Sequence, residues 1–137
     1  MTMENKLDII ENNGYATAKL TGVRRPESLL EAASKTTAFC KERGISHLLI
    51  DIRGMSGELD TLETYDVAGQ ELPNQPNARR LIRSVILDHP ENLERIRFFE
   101  TVAVNRGLMV KVFDDEDAAV RWLLADQPDR IEKDDRA

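Results

Sequence analysis

The sequence predicts an α/β domain with a mixed sheet of about five strands and helices packed on it, in the order ββαβαβαβα. Short segments of strand character alternate with longer segments of helical periodicity along the chain. An Asn-Gly step at Asn13 and Gly14 separates the first two strands, which is typical of a hairpin turn. Strands that alternate with helices pair in parallel through crossover connections. We therefore expect an antiparallel pair only in the opening hairpin.

The first half of the chain divides into a hairpin, a helix and a buried strand. Strands are predicted at 6–11 and 15–21, and their interleaved polar residues indicate one solvated face. Pro26 suits the first turn of a helix, and Gly44 suits its end. The mostly apolar segment 47–52 predicts a strand that is covered on both faces.

The second half continues the alternation after a loop predicted at 54–60. The later elements are a helix with a capping box at Asp60 and Glu63, a buried strand at 84–87, a helix at 90–106, a strand at 108–113, and a helix capped by Asp114 and Asp117. Cys40 and Trp122 lie on apolar helix faces and are expected in the core. Residues 1–125 therefore form one predicted domain, and 126–137 lack periodicity, which predicts a disordered acidic tail.

Composition excludes several classes of function. With 19 basic and 25 acidic residues in 137, the net charge of −6 argues against nucleic-acid binding. No apolar segment approaches the ~20 residues of a membrane span, and the start of the chain shows no secretory signal. The single cysteine excludes an internal disulfide and a cysteine-cluster metal site, and the spacing of the two histidines makes no metal-ligand pair. We expect a cytoplasmic protein with no metal and no cofactor.

Three stretches of the sequence carry a resemblance to a known family. They are Leu48-Leu49-Ile50-Asp51, the pair of segments 84–87 and 95–99, and the ending 110–123, which reads Val-Lys-Val-Phe-Asp-Asp-Glu-Asp-Ala-Ala-Val-Arg-Trp-Leu. The chain resembles the STAS fold of sulfate transporters and anti-sigma-factor antagonists. In particular, it resembles small stand-alone SpoIIAA-like bacterial proteins, described as STAS/CRAL-TRIO-like. The resemblance implies a STAS-like sheet and a non-catalytic regulatory or binding module that engages a protein partner or a small ligand.

One property of the anti-sigma-factor antagonists is not expected to carry over. Those proteins have an Asp-Ser-Ser-Gly-like phosphoacceptor at the helix that follows the third strand. The corresponding stretch here, 54–63, reads Gly-Met-Ser-Gly-Glu-Leu-Asp-Thr-Leu-Glu and has no Ser-Ser-Gly. Ser56 and Thr61 are candidate acceptors by proximity alone, so the resemblance does not predict the phosphorylation switch.

Two short segments have the residue types of a reactive or ligand-binding site. Gly54-Met55-Ser56-Gly57-Glu58 nearly matches a Gly-x-Ser-x-Gly nucleophile elbow, but Glu58 stands where that turn needs glycine, so a flexible loop with two glycines is the favoured interpretation. Asp88 and His89 lie at the carboxyl end of a buried strand, where α/β sheets bind ligands, although both are also routine helix caps. A hydrolase that uses Ser56 or His89 is the third hypothesis.

Arginines supply the candidate anion site. Arg79, Arg80 and Arg83 form the densest positive cluster, and guanidinium groups suit phosphate or carboxylate, although a solvated edge before a strand is the plainer interpretation. Arg53 is a candidate ligand-binding residue. It alternates with Asp51 on one side of the predicted strand, so the two side chains can instead pair with each other.

Aromatic side chains motivate the second hypothesis, a carrier of a small apolar, lipid-like ligand. Phe98 points away from the apolar face of its predicted helix, at about 100° per residue. Such a phenylalanine lines a ligand cleft, seals a dimer contact or caps a neighbouring loop. The carrier hypothesis places the ligand between the sheet and the helices around Tyr65 and Phe98. The dimer hypothesis predicts a homodimer with Phe98 at or near the contact.

Overall fold

The strands lie across the sheet in the same order as along the chain. In the computed structural model, which describes residues 4–125, they are β1 (Lys6–Glu11), β2 (Ala16–Val23), β3 (His47–Ser56), β4 (Arg83–Leu87) and β5 (Val110–Phe113). β1 pairs with β2 antiparallel, and the three following neighbour pairs are parallel. The predicted mixed sheet and its opening hairpin are therefore confirmed.

Helices connect the parallel strands, and one more helix follows β5. They are α1 (Pro26–Arg43), α2 (Thr61–Asp66), α3 (Leu93–Asn105) and α4 (Glu116–Leu123), and α2 continues into a π-helical turn at Val67–Glu71. The predicted capping box at α2 is confirmed, since the Asp60 side chain accepts from Glu63 N at 2.8 Å and the Glu63 side chain accepts from Asp60 N at 3.0 Å. Gly44 ends α1 with φ +67°, a left-handed conformation that favours glycine.

Several predicted boundaries are wrong, and pairing between strands explains the largest error. β3 continues through Gly54 to Ser56 because β2 pairs with it along that whole length. A Cβ atom on Gly54 would lie 2.8 Å from Cγ2 of Thr21, so glycine permits the close approach. The predicted loop is therefore confined to residues 57–60.

The remaining corrections concern helix and strand starts. A 3-10 turn at Pro90–Asn92 precedes α3, and β5 begins at Val110 rather than at 108. Asp115, not Asp114 or Asp117, caps α4, because its carboxylate accepts from Ala118 N at 2.8 Å. The predicted tail at 126–137 and the domain boundary before it lie outside the described residues.

Successive residues of the central strands face opposite sides of the sheet. One side packs against α4, and we call it the α4 face. Its core residues are each at most 1% exposed: Leu49, Val85, Leu87, Ala119 and Leu123. The other side packs against α1 and α3 and is called here the cavity face. Its larger core includes Leu48, Ile52 and Ile86 together with Cys40 of α1.

Cys40 and Trp122, both predicted in the core from their apolar helix faces, differ in how far they are buried. Cys40 is buried as predicted, and burial raises the pKa of its thiol. Trp122 is only half-buried, so the prediction that it lies in the core overstates its burial. Its ring packs against Phe113 at 6.1 Å between centroids, and the Arg83 guanidinium covers it at 4.8 Å. Trp122 thus closes the edge of the α4-face core.

Candidate functional site

A cavity of about 190 Å³ lies on the cavity face, between the sheet and the helices α1, α2 and α3. Alternate residues of the parallel strands form its floor, among them Leu48, Ile50 and Ile86. α3 contributes Ile96 and Phe99 to its wall. Most of the wall is apolar. The arrangement has the features of a small-molecule pocket, which is concave and mainly apolar with a few polar groups.

Small side chains keep this space open. β2 presents Ala18 to the cavity, α1 presents Ala32 and Ala33, and the segment after α2 presents Ala78. Atoms that line such a space lose dispersion contacts with partners they would otherwise touch. The cavity face is therefore less completely filled than the α4 face.

A buried ion pair lies at the edge of the cavity, where β2 and β4 end. Arg24 Nη2 lies 3.0 Å from Oδ1 and 2.9 Å from Oδ2 of Asp88. The Arg24 side chain is 9% exposed and that of Asp88 is 1% exposed, and both residues line the cavity. Asp88 also accepts from His89 N at 2.7 Å and from Asn92 Nδ2 at 3.1 Å. The predicted site residue Asp88 thus holds the turn that follows β4 and forms part of the cavity wall, but it makes no side-chain cap to a helix.

Arg24 joins three strand ends through its guanidinium group. Besides Asp88, its Nη1 donates to Gly57 O at 2.9 Å and its Nη2 donates to Ile52 O at 3.2 Å. Its Nε has no hydrogen-bond partner in the described part of the chain. Across residues 4–125 this nitrogen is the buried side-chain polar atom that lacks a hydrogen bond. An unsatisfied buried donor costs about 1–3 kcal/mol, so it calls for an explanation.

A second arginine–carboxylate pair lies on the α4 face. Arg53 donates from Nε to Oδ1 of Asp51 at 3.0 Å and from Nη2 to Oδ2 at 2.9 Å, as the alternation predicts. Nη2 also reaches Oε1 of Glu116 at 3.2 Å. Burial acts to raise the pKa of Asp51, but the hydrogen bonds and charge of Arg53 outweigh it and leave that pKa below its usual value. This candidate binding residue is thus engaged by carboxylates of the chain itself.

The candidates for hydrolysis and phosphorylation lie at the strand ends. Ser56 is the last residue of β3, exposed, and its hydroxyl donates to Gly22 O at 3.4 Å. His89 is exposed, and its Nε2 lies 3.1 Å from Arg53 O, a carbonyl that can only accept. A nucleophile elbow turns directly from strand into helix. Here the loop 57–60 separates Ser56 from α2, and Thr61 is the first, exposed residue of that helix.

The arginines of the candidate anion site point to different surroundings: two of them bind the ends of different helices, and the third is exposed. Arg79 Nη2 donates to Arg106 O at the end of α3, at 2.9 Å. Arg83 Nη1 donates to Trp122 O in α4, at 2.6 Å. Arg80 lies in the 3-10 turn and is exposed. The structure does not bring the three guanidinium groups together, so an anion site formed by all three stays a prediction.

Tyr65 and Phe98 contact each other outside the cavity. Their rings meet edge to face at 6.1 Å between centroids, and both side chains are exposed, as is Leu62 of α2. We call these three residues the aromatic patch. The carrier hypothesis expects Tyr65 and Phe98 to contact a ligand between the sheet and the helices. The cavity does lie between the sheet and the helices, but neither of these residues lines it.

The described part of the chain contains neither a metal-binding cluster nor a membrane-spanning helix. Among residues 4–125, no group of three or more His, Cys, Asp or Glu side chains is placed to hold a metal ion. None of the helices within those bounds is long and apolar enough to cross a membrane.

Comparison with known proteins addresses the fold. No protein-family model matches the chain, and no curated protein matches it. An anti-sigma factor antagonist from Mycobacterium paratuberculosis has a TM-score of 0.58 at 8% identity, over 88% of this chain and 94% of its own. An uncharacterised protein with a SpoIIAA-like fold from Shewanella loihica has a TM-score of 0.54 at 19% identity, over 90% and 98%. The chain has the SpoIIAA-like STAS fold.

On this SpoIIAA-like fold, sequence reasoning named Asp88 and expected space for an apolar ligand between the sheet and the helices, but it placed that space at Tyr65 and Phe98 and missed Arg24. A usable signal existed, because Arg24 follows β2 as Asp88 follows β4. The carboxyl ends of parallel strands meet at one edge of a sheet, so both residues belong to the same edge. The cavity itself had no local signal, since its space depends on how α1 and α3 pack on the sheet.

Proposed function

We propose that this SpoIIAA-like chain is a non-catalytic binding module that holds a small, mostly apolar molecule in the cavity. The cavity and its apolar wall carry the proposal. A cavity of about 150 Å³ in a protein core can bind benzene, so this one is suited to a molecule of roughly ten non-hydrogen atoms. The proposal combines two of the hypotheses from the sequence: a regulatory module that binds a small ligand, and a carrier of an apolar molecule. It differs from the second in placing the ligand among the residues of the cavity rather than at Tyr65 and Phe98.

Two observations favour binding over catalysis. The residues that line the cavity in the described part of the chain do not include Ser56 or His89, the candidates for hydrolysis. Both side chains instead contact backbone carbonyls. A cytoplasmic location belongs to the same proposal, supported by a lone cysteine that is buried and free.

Filling the cavity tests the proposed function. We expect ethylbenzene to bind the wild type in calorimetry, and Ala33→Phe to weaken that binding by about tenfold or more, since a phenyl ring would occupy the space. Ala38 is exposed on the same helix, so Ala38→Phe is the matched control and should bind as the wild type does. Circular dichroism confirms that both variants fold. Equal binding by the two variants would contradict the proposal.

The aromatic patch favours a second candidate, association of two copies of this chain. Leu62, Tyr65 and Phe98 expose apolar surface next to one another, and burying a phenylalanine stabilises by about 1.5–3 kcal/mol. Arg97 and Glu94 are both exposed on α3 near Phe98. Charges of both signs beside the patch suit a two-fold contact, in which each copy offers the other its opposite charge.

Sedimentation tests this association. We expect a dimer for the wild type and a monomer for Phe98→Ser, with Phe39→Ser on α1 as a control that leaves the dimer intact. A wild type that stays monomeric at high micromolar concentration removes the second candidate. A dimer that survives Phe98→Ser places the contact elsewhere on the surface.

A further inference from the structure

The missing hydrogen bond of Arg24 Nε follows from the way its guanidinium group meets Asp88. A guanidinium has five N–H donors, and a carboxylate can take two of them from one side through Nε and Nη2. Arg53 binds Asp51 in that way. Arg24 instead presents Nη2 alone to both oxygens of Asp88, and it donates from Nη1 and Nη2 to the backbone carbonyls of Gly57 and Ile52. The Nε–H of Arg24 therefore needs an acceptor that the described chain does not supply.

The charges around the cavity are already balanced. Asp88 neutralises Arg24 within the buried pair. Arg95, the other cation that lines the cavity, is paired with Glu58 at 2.8 Å between Nη1 and Oε1. An anionic ligand would therefore bring an uncompensated charge close to the buried carboxylate of Asp88, at a cost that low polarity increases. A neutral oxygen acceptor meets the need of Nε without adding charge.

We propose that the ligand of this cavity is an uncharged molecule with an apolar body and a carbonyl-type oxygen, and that this oxygen accepts from the Nε–H of Arg24. The inference rests on the proposed function and names the chemical class of its ligand. Arg24 is in this account a binding residue, and Asp88 is the residue that positions its guanidinium. The apolar floor, which includes Ile50 and Ile86, contacts the body of the ligand.

A matched set of probes tests the chemical class. Ethylbenzene and acetophenone differ by a carbonyl in place of a methylene group, and benzoate has a similar size with a negative charge. We expect the wild type to bind acetophenone more tightly than benzoate. The ratio of the acetophenone affinity to the ethylbenzene affinity reports the hydrogen bond, since both probes share the same apolar body.

Variants at Arg24 test the donor itself. Arg24→Lys keeps a positive charge beside Asp88 and removes the Nε–H, so we expect the affinity ratio to fall roughly tenfold. The double variant Arg24→Met with Asp88→Leu removes both charges together and should lower the ratio equally. Arg53→Lys makes the same change on the α4 face and is the control, with an unchanged ratio.

The outcomes separate this inference from the function on which it rests. An unchanged ratio in Arg24→Lys, or tighter binding of benzoate than of acetophenone, overturns the proposed ligand class, while ethylbenzene binding that Ala33→Phe abolishes still supports the cavity as a binding site. If the wild type binds neither ethylbenzene nor acetophenone, the proposed function itself fails.

Discussion

The two faces of the sheet carry the same kind of ion pair on differently packed cores. On the α4 face, Arg53 and Asp51 lie two residues apart in one strand and pair through Nε and Nη2. On the cavity face, Arg24 and Asp88 come from different strand ends, and their pair leaves Nε without a partner. The core residues beside the first pair are each at most 1% exposed, and the core beside the second contains a cavity.

This difference separates structural from functional use of the same chemistry. A pair formed within one strand, with a partly exposed arginine that bonds through both Nε and Nη2, needs nothing from outside the chain. A pair that is buried, joins distant segments and keeps an unused donor is costly to maintain on stability grounds alone. Imperfect packing and an unsatisfied polar atom in the same region are the two observations on which the proposed ligand site rests.

The largest expected effect is on the packing of the two faces. Leu49 and Leu48 are neighbours in β3, 1% and 3% exposed, and they face the α4 core and the cavity respectively. We expect Leu49→Ala to lower the free energy of unfolding by about 4 kcal/mol. For Leu48→Ala we expect a loss that is smaller than that of Leu49→Ala by about 1 kcal/mol or more, because Leu48 borders the cavity and has fewer contacts to lose. Urea unfolding measures both, and equal losses would break the comparison.

Adding volume should again cost more on the α4 face than on the cavity face. Ala119 is fully buried in the filled α4 core, so Ala119→Leu should destabilise by roughly 1–3 kcal/mol through overpacking. Ala18 is equally buried but borders the cavity, so Ala18→Leu should cost less than about 1 kcal/mol and should weaken ethylbenzene binding. Thermal unfolding and calorimetry provide the two measurements. A larger loss for Ala18→Leu would mean that the cavity cannot accept additional atoms.

The smallest expected effect concerns the ion pair on the α4 face. Asp51 has a lowered pKa, so its ionised form contributes stability above its unfolded pKa of about 3.9, and that stability is lost as pH falls through the lower folded value. Arg53→Met should raise the pKa of Asp51, because burial is then opposed only weakly. Since Arg53 is 37% exposed, we expect a loss of only about 1 kcal/mol near pH 7, which shrinks as the pH falls below about 4.

Carbon-detected NMR titration of the Asp51 carboxyl checks this prediction. Lys35→Met, which removes an exposed pair with Glu31 on α1, is the control and should leave the Asp51 pKa unchanged. An Asp51 pKa that is the same in Arg53→Met and the wild type would show that Arg53 does not hold that carboxyl ionised.

Local patterns in the sequence predicted the order of the elements, because hydrophobic periodicity, Gly44 and the capping box at Asp60 act over a few residues. Features that depend on distant segments escaped. β3 runs on to Ser56 because β2 pairs with it, and Gly54 gave no local sign of that pairing. The partner of Asp88 lies 64 residues earlier in the chain, so no motif joins them. Trp122 sits on an apolar helix face, but it lies at the edge of the α4-face core, where Phe113 and Arg83 cover only part of its ring.

Methyl NMR during titration with ethylbenzene tests most directly the claim that the cavity face binds a ligand. Ile50 and Ile86 line the cavity, whereas Leu87 and Leu123 lie in the α4-face core. The account predicts shifts and ligand contacts at the methyl groups of Ile50 and Ile86, with those of Leu87 and Leu123 nearly unchanged. Shifts confined to the α4 face or to the surroundings of the aromatic patch, with the cavity methyl groups unchanged, would contradict it.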